Sequence, residues 1–296
     1  MDMKIVVIGV GEVGYNLVKV LSKESFDITV VDIDEEKGRT LAFELGEKQA
    51  LFKKADITVP KEIDLAIQET LYFFHSLDSA VHCAYPKSKG WGTRFEDLNP
   101  KYLAEDLQMQ LGGAIMFSQR LIHHFRQQEY GNLIHISSIQ GIASPKFDHY
   151  EDTGMVSPIE YSAVKASIIA ITRYLAKYCK NQNIRVNCIS PGGILENQQQ
   201  TFIERYRSSC NSKGMLDAED LVGTLLYLLS DKSKYIFHSS TKRNRDHWIA
   251  TGGRVLSISG MGSTLKEARN KAYNVINKID WKSGYYRNDI GWKHLT

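Results

Sequence analysis

The sequence lacks the features that mark several common functional classes. Its four cysteines, Cys83, Cys179, Cys188 and Cys210, follow neither a C-x-x-C spacing nor a metal-binding pattern, so we expect buried free thiols and no metal site. It has no apolar run of about 18 residues, which argues against a membrane span and a membrane partner. Met1 leads directly into a short apolar strand and a glycine turn, unlike a signal peptide. These absences predict a cytoplasmic protein.

The chain has little net charge, but that charge is unevenly distributed. Its 296 residues carry a net charge of +3. Residues 237–296 hold 11 lysines and arginines against 4 acidic residues, together with three of the four tryptophans. This shift indicates an appended α+β segment of different origin. Because the predicted helix at 264–279 scatters its basic residues over a solvated face, we expect no nucleic-acid partner.

Short apolar runs and amphipathic segments alternate along most of the chain. This order is typical of an α/β fold in which helices cover both faces of a doubly wound parallel sheet, a Rossmann-like three-layer α/β/α arrangement. We predict that residues 1–236 form this domain and that 237–296 form the appended segment. Strands are predicted at 4–8, 28–31, 50–54, 79–84, 133–137 and 184–189, and helices at 15–22, 60–71, 103–125, 161–179 and 216–229.

A glycine-rich turn follows the first predicted strand. Gly9, Gly11 and Gly14 have the G-x-G-x-x-G spacing, a helix comes next, and Asp32 closes the second strand. In such a turn the first glycine permits the tight bend, the second lets the backbone approach a pyrophosphate, and the third lets the helix pack on the strand. The helix N-terminus favours the phosphates, and the Asp32 carboxylate would bind the adenosine ribose and repel a 2′-phosphate. The pattern predicts NAD as cofactor, against the alternative of a merely structural turn.

A second pattern points to carbonyl chemistry. Tyr161 and Lys165 are four residues apart and share one face of a predicted helix, and Ser138 ends the apolar run before it. A neighbouring ammonium lowers the pKa of a phenol, which is ordinarily about 10. A serine hydroxyl can hold a carbonyl oxygen while the phenol protonates it. Alone, a Tyr-x-x-x-Lys pair is usually a chance feature of a helix surface; with the other motifs it predicts reduction of a carbonyl by hydride.

Four motifs occur in order between residues 41 and 236. They are Asp56-Ile57-Thr58, the strand that ends at Ser138, Tyr161-x-x-x-Lys165, and the strand and loop at 183–194. Together they resemble the short-chain dehydrogenase/reductase family. The resemblance implies hydride transfer between nicotinamide and a carbonyl or alcohol, with Tyr161 as general acid and base. It further implies that Ser138 binds the substrate oxygen, that Lys165 assists Tyr161, and that the cofactor contacts Asp56, Ile57, Ala84, Tyr161, Lys165, Pro191, Gly192 and Ile194.

One site position departs from the family pattern. Gln110 stands where the family commonly has an asparagine that anchors a water for proton relay, so its longer amide would either hold that water or displace it. Gln110 is therefore a catalytic candidate whose effect on relay is open. Of two adjacent serines the family pattern selects Ser138, and Ser137 is expected to bond backbone. Tyr85 follows the fourth predicted strand and could line the mouth of the cofactor site.

The two ends of the chain resemble other families. Residues 3–37, with their G-x-G-x-x-G turn in place of T-G-x-x-x-G-x-G, resemble the NAD-binding domain of bacterial potassium-uptake regulators. Residues 237–296 resemble the C-terminal domain of phosphoribosylamine–glycine ligase, through the segments 251–256 and 285–291. We interpret the chain as a mosaic, either recombined or designed. A reductase of this type needs a last strand, and we hypothesise that residues 254–259 supply it as the seventh strand of the main sheet.

Three hypotheses follow for the function. The first is an NAD-dependent oxidoreductase that acts on a small carbonyl or hydroxyl substrate such as a sugar derivative. The second is a nucleotide-binding module without turnover, and the third is a chimeric scaffold in which neither role was selected. Substrate selection is predicted in the loops 144–160 and 195–214, because loops at the carboxyl ends of parallel strands form ligand sites. The family resemblance implies a homodimer or homotetramer formed through the helices at 103–125 and 161–179.

Overall fold

The structure is a computed structural model that describes residues 3–46, 48–230, 235–238, 241–244, 247–250, 256–259, 264–279 and 286. The chain divides into two compact units, Met1–Leu225 and Leu226–Thr296. The first unit therefore ends about ten residues before the expected boundary at 236.

Six parallel strands form the centre of the first unit. They are β1 (Lys4–Ile8), β2 (Asp27–Asp32), β3 (Ala50–Lys54), β4 (Ser79–His82), β5 (Tyr130–Ile136) and β6 (Asn183–Ile189), in the order β3-β2-β1-β4-β5-β6. The register places Ile5 opposite Ile28 and Ser79. Strands covered on both faces need continuous apolar runs, and β1 and β2 have them in Ile-Val-Val-Ile and Ile-Thr-Val-Val. The predicted doubly wound parallel sheet is confirmed.

The helices are α1 (Glu12–Lys23), α2 (Glu35–Leu45), α3 (Pro60–Phe74), α4 (Pro100–Leu107), α5 (Gly113–Gln127), α6 (Ile159–Tyr178), α7 (Gln200–Ser208) and α8 (Val222–Leu229). Helices α1, α2, α3, α5 and α6 pack against the strands of the sheet. In α5, Phe117, Leu121 and Phe125 are fully buried at a spacing of four residues, which puts one apolar face on the sheet. Helix α7 lies in the 195–214 segment and was not predicted.

The predicted single helix at 103–125 is interrupted. Helices α4 and α5 are joined by a π-helical turn at Gln108–Gly112, and Gln110 lies within it. A β-carbon on Gly113 would lie 2.7 Å from Cγ2 of Ile57, so a glycine there allows the helix to approach the chain after β3. Such π-turns insert an extra residue and occur frequently at functional sites.

The second unit holds two antiparallel strand pairs and one helix among its described residues. Strand β7 (Tyr235–His238) pairs with β10 (Leu256–Ser259), β8 (Thr241–Asn244) pairs with β9 (His247–Ala250), and α9 spans Leu265–Ile276. The prediction that 254–259 joins the main sheet as a seventh strand is therefore wrong for its described part, 256–259; residues 254–255 lie outside the described residues. Strand β7 precedes β10 by about 20 residues, whereas β6 precedes it by about 70. Pairing β10 with β7 therefore closes a shorter loop and costs less conformational entropy than pairing it with β6.

Two further expectations can be compared with the structure. All four cysteines are free, but only Cys179 is buried, and Cys83, Cys188 and Cys210 are half-buried. These three cysteines are less buried than expected because they lie near strand ends or in loops, which border the cavities and the surface. Within the described ranges, no helix combines the length and apolar character needed to cross a membrane.

Candidate active site

A cleft opens where the strand order reverses, at the carboxyl ends of β1 and β4. It contains two cavities of about 500 Å³ and about 370 Å³. Both volumes fall within the range of about 300–1,000 Å³ that is typical of small-molecule sites. The cavities share part of their lining, namely Val13, Cys83, Tyr85, Lys87 and Glu196. In open α/β sheets this reversal point is the usual ligand site.

The glycine turn forms one wall of the larger cavity. Gly9 has a φ of +89°, and a β-carbon there would lie 2.3 Å from the Cα of Ala84. A β-carbon on Gly14 would lie 1.9 Å from the carbonyl oxygen of Gly9, whereas one on Gly11 would meet nothing within 4 Å. Gly9 and Gly14 thus serve close packing, and Gly11 faces open space. Gly11 is also the N-cap of α1 and has no side chain to occupy the helix N-terminus, which leaves that terminus accessible to a phosphate.

Two carboxylates lie at the ends of neighbouring strands in the same cavity. Asp32 accepts hydrogen bonds from the amide of Val10 at 2.6 Å and from the amide of Asp34 at 2.9 Å. Asp56 accepts from the amide of Thr58 at 2.8 Å and from its hydroxyl at 2.7 Å. Each carboxylate is fixed by backbone while still lining the cavity. The structure thus brings together the predicted cofactor residues Gly9, Gly11, Gly14, Asp32, Asp56, Ile57 and Ala84.

The smaller cavity collects the predicted catalytic residues. Ser138, Tyr161 and Lys165 all line it, together with Pro191, Gly192 and Ile194. Ser138 is buried after β5, and its Oγ accepts a hydrogen bond from the amide of Gln140 at 3.1 Å. The amide of Ile139 donates to the carbonyl of Pro191 at 2.9 Å, which ties the serine loop to the loop after β6. Ser137 points elsewhere and donates to the carbonyl of Lys165 at 2.7 Å.

Lys165 is the buried charged group of this cavity, whose lining also includes Lys87 and Glu196. Its Nζ donates to the carbonyl of Ile136 at 3.0 Å, and the side chain is buried. Burial lowers the pKa of Lys165 to about 8, and the nearby Cys83 thiol opposes that change. Lys165 is therefore mostly charged at pH 7, although it loses its proton far more easily than an exposed lysine.

The expected lowering of the pKa of Tyr161 is not found. Burial raises the pKa of Tyr161, and a hydrogen bond with Ser138 opposes the increase. The Nζ atom of Lys165 lies 5.6 Å from the centre of the Tyr161 ring and donates to the Ile136 carbonyl. In this arrangement desolvation outweighs the stabilisation of the phenolate.

Gln110 lines neither cavity. It is buried in the π-helical turn, and its Nε2 donates to the carbonyl of Pro86 at 2.8 Å. Its Oε1 is buried and has no hydrogen-bond partner among the described residues. Gln110 thus fixes the loop after β4 and presents one unsatisfied acceptor; its predicted part in proton relay stays a prediction.

Aromatic side chains surround Tyr161. The Tyr85 ring lies edge-on to Tyr161 at a centroid distance of 5.5 Å and to Trp91 at 5.2 Å. The hydroxyl of Tyr206, on α7, accepts a hydrogen bond from the amide of Gly193 at 2.7 Å. Of these, only Tyr85 was predicted from the sequence. Trp91 lies in a turn and Tyr206 on α7, which was not predicted, so neither was singled out.

The two segments expected to select substrate lie against each other. His149, from the loop before α6, contacts the Ser209 hydroxyl through Nε2 at 2.8 Å, and its ring lies 5.2 Å from that of Tyr206. Arg205 of α7 donates to the backbone carbonyl of Glu151 in the same loop. Tyr150 and Phe202 of these segments line the smaller cavity. The 144–160 loop and α7 therefore form one wall over the catalytic residues.

Comparison with known proteins gives a consistent picture. A family model described as "Enoyl-(Acyl carrier protein) reductase" matches residues 11–242, and one described as "Phosphoribosylglycinamide synthetase, C domain" matches residues 219–293. Post-translational flagellin modification protein A of Campylobacter coli is 41% identical over 230 residues, which cover 76% of this chain and 90% of that protein. L-fucose dehydrogenase of Bos taurus is 28% identical over 192 residues, covering 64% of this chain and 65% of that protein.

A solved structure matches the same region. The short-chain dehydrogenase of Leptospira borgpetersenii with bound NAD⁺ superposes with a TM-score of 0.67 at 28% identity, covering 78% of this chain and 87% of that one.

Proposed function

The chain belongs to the short-chain dehydrogenase/reductase family, and we propose that it transfers a hydride between the nicotinamide of NAD and the carbonyl or alcohol carbon of a small substrate. One observation carries the proposal: Ser138, Tyr161 and Lys165 line a single cavity that adjoins the glycine-turn cavity. A phenol, a hydroxyl and an ammonium in one desolvated space next to a dinucleotide-shaped cleft are the groups that carbonyl reduction requires.

The residues of the larger cavity fit a dinucleotide. The open space above Gly11 and the free N-terminus of α1 suit the pyrophosphate, and Asp32 suits the hydroxyls of the adenosine ribose. Asp56 and Ile57 would contact the adenine. A carboxylate at the ribose disfavours a 2′-phosphate, so we assign NAD rather than NADP. The bound dinucleotide supplies the hydride, and the protein fixes its orientation.

The chain's own residues handle the proton. In reduction, Ser138 and Tyr161 hold the substrate oxygen by hydrogen bonds, and the Tyr161 hydroxyl gives its proton to that oxygen. The product phenolate then lies beside the charged Lys165, whose attraction offsets the desolvation that raises the pKa of Tyr161. In oxidation the same phenolate accepts the proton.

The substrate wall supports a compact, polyhydroxylated substrate. The lining of the smaller cavity includes the aromatic residues Trp91, Tyr150 and Phe202 and the polar residues Gln140 and Ser157. Rings that stack on the faces of a sugar, with polar groups around their rims, suit a sugar derivative. The similarity to an L-fucose dehydrogenase and to a flagellin modification protein agrees with this class.

The deciding experiment has two stages. NADH and NADPH are titrated into the protein by fluorescence, and a panel of sugars and keto compounds is then screened by NADH absorbance. We expect NADH to bind more tightly than NADPH, and Tyr161→Phe to bind NADH normally while losing at least about 100-fold in turnover. Turnover that survives Tyr161→Phe would refute the acid assignment. Binding without turnover on the whole panel would favour the nucleotide-binding module.

We also infer that the chain is a mosaic. Two family models that match 11–242 and 219–293, and two compact units that meet at Leu225, support a junction in this region. The regulator-like origin of residues 3–37 stays a prediction. Brief proteolysis of the full chain should yield a stable fragment that ends near residue 230 and still binds NADH; cleavage that destroys NADH binding would argue for one interdependent unit.

The oligomeric state stays a prediction of a homodimer or homotetramer. Tyr174 and Tyr178 on α6 are exposed by 67% and 52%, and Ile115 on α5 by 42%. Apolar groups of this size on the two helices support association through them. Light scattering of the protein and of Tyr174→Lys tests this: the variant should be smaller, and equal masses would oppose the assignment.

A further inference from the structure

Tyr85 is a half-buried aromatic residue of the cleft that the proposed reaction does not use. It follows β4 and lines both cavities, so it lies at the boundary between the cofactor and substrate spaces. Its ring contacts Tyr161 edge-on at 5.5 Å. The ring also lies close to the ammonium group of Lys165.

The face of the Tyr85 ring lies next to the Lys165 ammonium. The Nζ atom of Lys165 is 4.9 Å from the centre of the Tyr85 ring and 5.6 Å from that of Tyr161. Both distances lie inside the limit of about 6 Å for attraction between a cation and a ring face, and that attraction is larger when the cation is desolvated. One Nζ–H of Lys165 is used by the Ile136 carbonyl. The Tyr85 ring is thus the nearer of two aromatic faces available to the rest of the ammonium.

The other groups around Lys165 do not balance its charge. Cys83 and His82 face it from β4, His135 from β5 and Tyr161 from α6, and Lys165 acts electrostatically on both histidines. Burial raises the pKa of Cys83 to about 12 and lowers that of His135 to about 4, and it lowers the pKa of His82 as well. The thiol, both imidazoles and the phenol are therefore neutral at pH 7. Among the described residues, the Ile136 carbonyl and the ring faces of Tyr85 and Tyr161 remain as the groups that stabilise the cation, and the Tyr85 ring is the nearer of the two.

The loop that carries Tyr85 is held by buried anchors. Asp106 on α4 accepts hydrogen bonds from the amide of Ser88 at 2.7 Å and from its hydroxyl at 2.8 Å. Gln110 donates to the carbonyl of Pro86. Asp106 and Gln110 are only 1% and 2% exposed, so water does not compete for the hydrogen bonds that they make to this loop. The position of the Tyr85 ring is consequently set by the π-turn and α4, elements that make no contact with a substrate in the proposed site.

We propose that Tyr85 is a positioning residue whose ring face keeps the Lys165 side chain in the cleft in its charged form, a role that rests on the proposed function of Lys165. The hydroxyl of Tyr85 takes no part in it. Among the described residues Lys165 forms no ion pair, although Glu196 lines the same cavity, and a ring at this place stabilises the ammonium without an acidic partner that would compete with substrate and cofactor for the lysine.

The test measures the protonation of Lys165 directly and requires no substrate. The full chain is labelled with ¹³C at the lysine Cε, and the signal that titrates near pH 8 is assigned by its absence in Lys165→Met. Three variants are compared: Tyr85→Leu removes the ring but keeps the cavity filled, Tyr85→Phe keeps the ring face, and Trp91→Leu removes a neighbouring ring that contacts Tyr85. Each variant is first checked for an unchanged unfolding midpoint.

We expect Tyr85→Leu to lower the pKa of Lys165 by about 0.4 to 1.5 pH units, because the cation loses its attraction to the ring. Tyr85→Phe and Trp91→Leu should each stay within about 0.3 pH units of the wild type by the same reasoning. An unchanged or raised pKa in Tyr85→Leu overturns the proposal. So does an equal decrease in Tyr85→Phe, which would assign the effect to the hydroxyl, or in Trp91→Leu, which would assign it to general loosening.

The result is separable from the fate of the proposed function. A protein without turnover would still show the predicted lysine titration, and an active enzyme could lack it. Once a substrate is identified, the pH dependence of kcat provides a second readout: the profile of Tyr85→Leu should move by the same amount as the lysine titration, whereas that of Tyr85→Phe should coincide with the wild type.

Discussion

The three glycines of the turn separate packing from binding, and alanine substitutions can show this. Gly14→Ala places a methyl 1.9 Å from the Gly9 carbonyl oxygen, a backbone atom that cannot move alone. Gly11→Ala places one where nothing lies within 4 Å. The first change should damage the fold, and the second should damage only the cofactor site.

The magnitudes follow from these distances. Overpacking costs about 1–3 kcal/mol, and the higher helix propensity of alanine offsets up to about 1 kcal/mol of that cost. Gly14→Ala should therefore lower the free energy of unfolding by about 1–2 kcal/mol. Gly11→Ala removes a favourable N-cap and should cost no more than about 1 kcal/mol. Its methyl would occupy the space for the pyrophosphate and disrupt hydrogen bonds to a charged group, worth about 1.5–3 kcal/mol or about 10- to 150-fold in Kd.

Urea unfolding followed by circular dichroism and NADH titration by fluorescence measure the two effects. Gly223→Ala is a matched control, because it is an exposed helical glycine with nothing within 4 Å and should be neutral or slightly stabilising without changing NADH binding. Wild-type affinity in Gly11→Ala would refute the placement of the pyrophosphate at this turn. Wild-type stability in Gly14→Ala would refute the close packing of the turn.

Three further predictions follow from the site and its surroundings. Asp32→Asn keeps an acceptor for the Val10 amide but removes the charge, so it should weaken NADH about 10-fold and bring the NADPH Kd closer to it; an unchanged ratio of the two would place Asp32 away from the ribose. Arg205→Leu frees the backbone carbonyl of Glu151, so the 144–160 loop should be cleaved faster by a non-specific protease than in Arg207→Leu, and equal rates would oppose the anchoring role. Burial lowers the pKa of His135 to about 4, so between about pH 4 and pH 6.5 the folded state binds fewer protons than the unfolded state. The contribution of His135 to the free energy of unfolding should be complete above about pH 6.5 and fall by up to about 3 kcal/mol towards about pH 4. Urea midpoints that do not fall over this range, or that fall equally in His135→Gln, would contradict this.

Much of the fold was readable from local patterns. The alternation of apolar runs and amphipathic segments predicted all six parallel strands, and the signal is clearest in β1, where four consecutive apolar residues are buried. The long helix at 103–125 was predicted without its π-turn at Gln108–Gly112, because the periodicity of apolar residues identifies a helix but does not reveal a local change in its hydrogen bonding. The strand at 256–259 was assigned to the wrong sheet, because alternation identifies a strand but not its partner.

The sequence by itself determined which chemical groups this protein has and how they are spaced. Tyr161 and Lys165 share a helix face because they are four residues apart. Gly9, Gly11 and Gly14 form the turn because their spacing lies between a strand and the start of a helix. Only the tertiary structure decided what those groups experience. Lys165 donates to Ile136 and faces Tyr85, and the pKa of Tyr161 rises instead of falling, because desolvation and ring contacts come from segments far apart in the chain.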